Sequence, residues 1–275
     1  MKKYLMFLLI ASLIVTALCG VSAAADDQQE CGSSIGAVAY DANTDYMLLM
    51  IRYAAAGDIE AMENALISRN AKIADMGLDY PMLFPESFLD NFEIHAGFNP
   101  DTDYMSIMMN CCVRGDVDGG IQAAEKRNKK IDMLDLDVAK IEFMDLYLVS
   151  KIITAEAGSS WLSMDWKMMV GEVLLNRVAS TEFPNTIPDV IHAPGQYYSK
   201  SNRFFANLKP YESCVQAAVR LLNGQRILND PSVVYQANFR QGSGVHTQLY
   251  DKWLGYTYLC HSTHMELYEN IGGAE

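Results

Sequence analysis

From position 44 to position 137 the apolar residues recur every third or fourth place, and turn residues interrupt them twice at matching points. Tyr46, Leu49, Met50 and Tyr53 form one stripe of helical period. Gly57 stops that helix, and Asp58 can cap a second one carrying Ile59, Met62, Leu66 and Ile73. The order then returns. Thr44 to Asp79 aligns without gaps on Thr102 to Asp137 at an offset of 58, with 14 of 36 positions identical, where chance gives about two. The identities include Thr44-Asp45-Tyr46-Met47 against Thr102-Asp103-Tyr104-Met105, Gly57-Asp58 against Gly115-Asp116, and Arg69-Asn70 against Arg127-Asn128.

Each copy therefore predicts helix, Gly-Asp turn, helix, and resembles a helix-hairpin repeat of the tetratricopeptide type. A single hairpin cannot bury its own apolar face, and two are marginal. The helix beginning near Ile141, or a symmetry mate, is expected to complete the stack. Between the copies Pro81, Pro85, Asn99 and Pro100 predict an ordered but irregular connection. Arg69, Asn70 and Lys72 recur as Arg127, Asn128 and Lys130. They read either as a shared ligand face or as the solvated face of each helix.

The pattern changes at Leu146. Leu146, Val149, Ile153 and Glu156 step by three or four, so Glu156 projects from the end of a buried stripe, and Gly158 ends the helix. A second helix opens at Ser163, a good N-cap, with Asp165 in its first turn and Trp166, Met169, Val170, Val173, Leu174 and Arg177/Val178 on its core face. Glu172 and Asn176 lie one turn apart on its flank and could line a cleft or bond each other in solvent. Thr186-Ile187-Pro188-Asp189 has the form of a capping box for a short helix through Ile191. Gly195-Gln196-Tyr197-Tyr198 predicts a turn bearing an amide and two aromatic rings. A last helix is expected from Tyr211 to Leu222, closed by Gly224. Val233-Val234-Tyr235 and Gly255-Tyr256-Thr257-Tyr258 read as extended, with Gly242-Ser243-Gly244 as a flexible break.

The ends and the charge add compartment and exclude some partners. Lys2-Lys3, the apolar run Tyr4 to Leu18, the small residues Ser22-Ala23-Ala24-Ala25 and then Asp26-Asp27 match a cleaved signal peptide over 1–25. The mature chain is expected outside the cytoplasmic membrane, secreted or in the cell envelope. Residues 26–40 are polar and small and read as a linker. From Asp26 to Val149 there are 23 acidic and 9 basic side chains, a balance of −14; from Ser150 onward 11 and 10, a balance of −1. An acidic domain excludes nucleic acid, whose phosphates need Lys and Arg, and anionic lipid. It leaves a basic protein partner for the hairpins as one reading. Cys31, Cys111, Cys112, Cys214 and Cys260 outlast signal removal, an odd number. Cys214 and Cys260 are the one pair within the C-terminal half, to be read as a bridge or as two buried thiols.

Glu156 is the principal chemical candidate. A carboxylate at the end of an apolar stripe is either a snorkelling surface residue at a frayed helix end or partly desolvated, and desolvation raises its pKa and lets it act as a general acid. Amides and aromatic faces are the residue types that hold sugars, through hydroxyl pairing and C–H stacking. Cys260, His261 and His264 invite a metal, but no further His or Cys pair completes a site, and none is assigned. No phosphate loop, dinucleotide fingerprint or Gly-x-Ser-x-Gly elbow is present, and no cofactor is expected.

The ordered series Ala155-Glu156-Ala157-Gly158, Val173 to Val178, Phe183 to Ile191 and Gly195 to Ser199 resembles the cell-wall hydrolase family of SleB-like spore cortex-lytic enzymes. The resemblance spans about 146–268. It implies a lysozyme-like α+β domain at 146–275 with a small β element; with the duplicated helix hairpins read from the repeat at 41–145, the architecture expected overall is mainly α. The resemblance implies peptidoglycan glycan strands as substrate, with Glu156 catalytic and Asn176, Gln196, Tyr197, Tyr198 and Tyr235 binding sugar. It also implies lytic transglycosylase chemistry between N-acetylmuramic acid and N-acetylglucosamine. Many members read Glu-Ala-Arg-Gly-Glu; here Gly158, Ser159 and Ser160 come next, so that second acid is missing. A hydrolase of the usual kind needs two carboxylates, for which Glu172 or Asp165 is the available partner. A third reading is a helical-repeat interaction protein with a non-catalytic sugar-binding domain.

Overall fold

A computed structural model describes residues 38–268. The expected signal peptide, Cys31 and most of the 26–40 linker lie outside the described residues.

Helices α1 (Tyr46–Ala56) and α2 (Ile59–Met76) make the first hairpin. Two short helices come next, α3 (Pro85–Asp90) and α4 (Phe92–Ala96), where an irregular connection was expected. Pro85 sits at the first helical position, where its missing N–H costs nothing. Helices α5 (Tyr104–Arg114) and α6 (Val117–Leu134) form the second hairpin, with the same element lengths as the first.

The residues shared by the two hairpins turn out to be caps and clamps. Asp45 and Asp103 accept hydrogen bonds from the N–H groups of Leu48 and Ser106, and Asp58 and Asp116 from those of Ala61 and Gly119. Gly57 and Gly115 take the left-handed conformation at φ 76° and 73° that closes the first helix of each hairpin. The hydroxyl oxygens of Tyr46 and Tyr104 accept from the backbone N–H of Asp41 and Asn99 at 2.6 and 2.7 Å.

Arg69 donates to the Pro81 carbonyl, and Asn70 exchanges two hydrogen bonds with the backbone of Leu83. Arg127 and Asn128 do the same to Ala139 and Ile141. Lys72 and Lys130 reach back to the carbonyls of Thr44 and Thr102. These side chains are neither a ligand face nor idle solvated charge. They fix the chain just downstream of each hairpin.

Downstream of the second hairpin lies α7 (Phe143–Ala157), which starts directly after the clamped Ile141. A Cβ built on Gly120 would lie 2.1 Å from a ring carbon of Phe143, so only glycine lets α6 approach α7 this closely. One apolar core runs across the expected boundary at 145/146, joining Met108, Cys112, Ala123 and Ala124 to Phe143, Leu146, Val149 and Ile153. The chain from Tyr40 onward forms one compact unit.

The remaining helices are α8 (Met164–Ala179), α9 (Ile187–His192), α10 (Arg203–Asn207) and α11 (Glu212–Leu222). Ser163 and Thr186 cap α8 and α9 as expected, accepting from Trp166 and Asp189. Three antiparallel strands, β1 (Val233–Ala237), β2 (Val245–Asp251) and β3 (Gly255–His261), form a sheet in the order β1-β3-β2. Its inner face lays Leu249 and Leu259 against Val170 and Val173 of α8. The architecture is thus mainly α with a small β element. Cys214 in α11 and Cys260 in β3 are both buried free thiols, with no bridge between them.

Candidate active site

Glu156 occupies the last turn of α7, one residue before the last helical position, and the helix closes on Gly158. Gly158 is required by contact rather than by backbone angle: a Cβ there would lie 2.2 Å from the Thr154 carbonyl oxygen. The loop beyond is held by Lys167 of α8, whose buried ammonium donates to the carbonyls of Ser159 and Leu162 at 3.0 and 2.7 Å. The position of the carboxylate is therefore set from both sides of the helix end.

Tyr198 donates its hydroxyl to Glu156 Oε1 at 3.2 Å. Its ring stacks on Phe205 of α10, with centroids 4.8 Å apart and planes 7° apart. Against Phe205 lies the Lys151 ammonium, 4.7 Å from the ring centroid, which also donates to the Ala206 carbonyl. Burial lowers the Lys151 pKa. Lys151, Phe205 and Tyr198 thus form a chain of contacts that ends in the hydrogen bond to Glu156.

Glu156 is exposed to solvent at the helix end. Desolvation by the surrounding protein nonetheless pushes its carboxyl pKa up, against the Tyr198 hydrogen bond and the Arg177 charge, which both pull it down. Burial, with the adjacent Glu156 charge, pushes the Tyr198 phenol up to about 12, so it stays a neutral donor.

Arg177 organises the other wall. It is almost fully buried and donates to the Val234 carbonyl at 2.6 Å and to Gln196 Oε1 at 2.9 Å. Its guanidinium lies 4.8 Å from the Tyr197 ring centroid and 5.4 Å from that of Phe183. The Tyr197 hydroxyl is buried without a protein partner. Gln196, Tyr197 and Tyr198 are therefore placed by Arg177 and by the Lys151–Phe205 contacts, in a turn opened by Gly195 at φ 77°.

Tyr235 on β1 donates to Glu182 Oε1 at 2.9 Å. The other oxygen of that carboxylate accepts from Ser262 and Tyr268 at 2.5 and 3.1 Å.

Two expected participants take other roles. Asn176 is buried and spends its amide N–H groups on the carbonyls of Asp230 and Val233, both at 3.0 Å, tying α8 to β1. Glu172 is only 1 % exposed and accepts from the N–H groups of Ile227, Leu228 and Asn229. It neither bonds Asn176 nor faces a cleft. Asp165 stands exposed in the first turn of α8.

Arg177, Lys151 and Glu182 escaped the sequence reading as site components. A cation on an otherwise apolar helix face was a usable signal for Arg177 and for Lys151. Glu182, in the loop after α8, offered none. Among the described residues no group of three or more His, Cys, Asp or Glu side chains could hold a metal ion. His261 instead pairs with Ser232 at 2.9 Å, beside Asp230.

Residues 163–254 match the family model described as Cell Wall Hydrolase. The matched stretch takes in Arg177, Glu182, Gln196 to Tyr198 and Tyr235, and begins after Glu156. No curated protein and no solved structure matches the chain.

Proposed function

We propose that this cell wall hydrolase domain cuts the glycan strands of peptidoglycan as a lytic transglycosylase, with Glu156 as its single acid and base. The match over residues 163–254 supports peptidoglycan as the substrate class. The finer assignment rests on one observation: Glu172 of α8 and Glu182 of the loop after it spend their carboxylates on protein partners, so neither is free to act as a second catalytic acid. Glu172 holds three backbone N–H groups and Glu182 three hydroxyls. A raised pKa supports Glu156 as the proton donor.

Glu156 gives its proton to the oxygen between N-acetylmuramic acid and N-acetylglucosamine as the C1–O bond breaks. The muramic acid C6 hydroxyl then bonds to C1, and its proton passes to the Glu156 carboxylate. Water is not consumed, the 1,6-anhydro ring closes and the acid is restored. The N-terminal apolar run supports secretion as the route to this substrate.

Glu156→Gln tests the assignment. It keeps the hydrogen-bonding shape and removes the transferable proton, so turnover of purified sacculi falls by about 10²- to 10⁴-fold or more, while binding to glycan strands remains. Mass spectrometry of the wild-type products is expected to show anhydro ends, one water lighter than reducing ends. Reducing ends alone point to hydrolysis, with the exposed Asp165 as the carboxylate to test.

A further inference from the structure

The outward face of the β-sheet carries aromatic rings for which the chemistry at Glu156 has no use. Cross-strand pairs place Tyr235 beside Cys260, Ala237 and Gln248 beside Tyr258, and Tyr250 beside Tyr256. Because side chains alternate along a strand, Tyr258, Tyr256 and Tyr250 share the face opposite Leu249 and Leu259. Their rings form a ladder, with centroids 5.9 Å apart from Tyr258 to Tyr256 and 4.9 Å from Tyr256 to Tyr250. Tyr250 is 63 % exposed, and Trp253 at the hairpin tip 73 %. Aromatic surface left in water at this density marks a binding face more often than chance.

The ladder leads toward Tyr235 on β1, next to the Val234 carbonyl that Arg177 holds. At its inner end an open depression is lined by Arg240, Gly242 to Val245 and Gln248. A Cβ on Gly242 would lie 3.0 Å from the Tyr235 ring, so the depression borders the residue that bonds Glu182. Cations accompany the rings: Arg240 lies 5.6 Å from the Tyr258 centroid, and Lys252 5.0 Å from that of Trp253. Aromatic faces match the C–H faces of pyranose rings, and the two cations match the carboxylates of muramyl stem peptides.

We propose that the outer sheet face, from the Arg240–Gln248 depression along Tyr258, Tyr256 and Tyr250 to Trp253, is an accessory binding track for a glycan strand of peptidoglycan. The occupant is the strand beyond the bond being cut. From Val245, which lines the depression, to Tyr250 the track already runs about 17 Å along β2, longer than one sugar residue. The proposal rests on the substrate reading above, and its test separates the two.

Glu156→Gln full-length protein is co-sedimented with insoluble sacculi, alone and with Tyr250→Ala, Tyr256→Ala and Trp253→Ala added. These exposed positions can be changed without opening the core, and unfolding midpoints verify that. Affinity is expected to fall about tenfold or more on losing three stacking rings. The same three changes in the otherwise native chain are expected to slow cleavage of sacculi while leaving cleavage of short soluble glycan fragments unchanged. Undiminished sedimentation of the triple variant overturns the track and leaves the substrate reading standing. A Glu156→Gln parent that does not sediment at all overturns both. Equal slowing on long and short substrates places these rings in the catalytic cleft and also overturns an accessory track.

Discussion

Asn70 and Asn128 each grip the chain thirteen residues downstream through a pair of backbone hydrogen bonds. After the first grip the chain enters the six-residue α3; after the second it enters the fifteen-residue α7, which carries Glu156 in its last turn. The correspondence runs past the aligned segment. At the same offset of 58, Phe88 of α3 and Leu146 of α7 are both fully buried. Where the first unit has Met62 and Pro85, the second has Gly120 and Phe143. Bulk has moved from the hairpin to the helix it carries. The same clamp thus serves as internal scaffolding in one place and as the base of the helix that carries Glu156 in the other.

The largest expected effects lie in that exchange of bulk. Met62→Ala empties a fully buried site and should cost about 2–5 kcal/mol of stability. Gly120→Ala drives a methyl into the Phe143 ring and should cost about 1–3 kcal/mol. That loss outweighs the gain of up to ~1 kcal/mol in helix propensity. Urea unfolding measures both. Only Gly120→Ala should also slow cleavage of sacculi at temperatures where both variants are folded, because only it displaces α7. A stabilised Gly120→Ala would show that the close approach of α6 and α7 is not under constraint.

The same contrast explains what could be read from the sequence. The hairpins were legible because their identities are caps and turns, whose effects are local: Asp45, Gly57 and Asp58 need no tertiary partner to be interpreted. Arg69, Asn70 and Lys72 were visible as repeated residues but not as clamps, since their acceptors are carbonyls between 12 and 28 positions away. The helices α7, α8, α9 and α11 were readable from periodicity and caps. Strand β2 was not, because Val245-His246-Thr247-Gln248 is polar and lies at the sheet edge, where one face alone demands apolar residues. Asn176 shows the limit at the site. Its type suited sugar binding, and only the burial of its amide against Asp230 and Val233 reveals a structural role.

A middle-sized effect separates the two clamps. Asn70→Ala and Asn128→Ala each remove two backbone hydrogen bonds and should each cost about 1–3 kcal/mol. Asn128→Ala alone should reduce turnover by a few-fold, since Ile141 is the pivot from which α7 departs. If both variants slow cleavage equally once corrected for the folded fraction, the first hairpin also supports α7.

The smallest effect sits at the far end of α7. The Tyr198 hydroxyl bonds the charged form of Glu156 and so holds its pKa below the level that desolvation alone would set. Tyr198→Phe keeps the stack on Phe205 and removes that bond. The Glu156 pKa then rises further. As the acid must be protonated to act, the alkaline limb of the pH–rate profile depends on this pKa and moves to higher pH. The rate on the acid side of that limb should fall at most about tenfold, the worth of one hydrogen bond. A structural defect would instead lower the rate at every pH and leave the limb in place. A limb that stays put or moves to lower pH would mean that Tyr198 does not tune Glu156, and that the contacts from Lys151 through Phe205 end at a bystander.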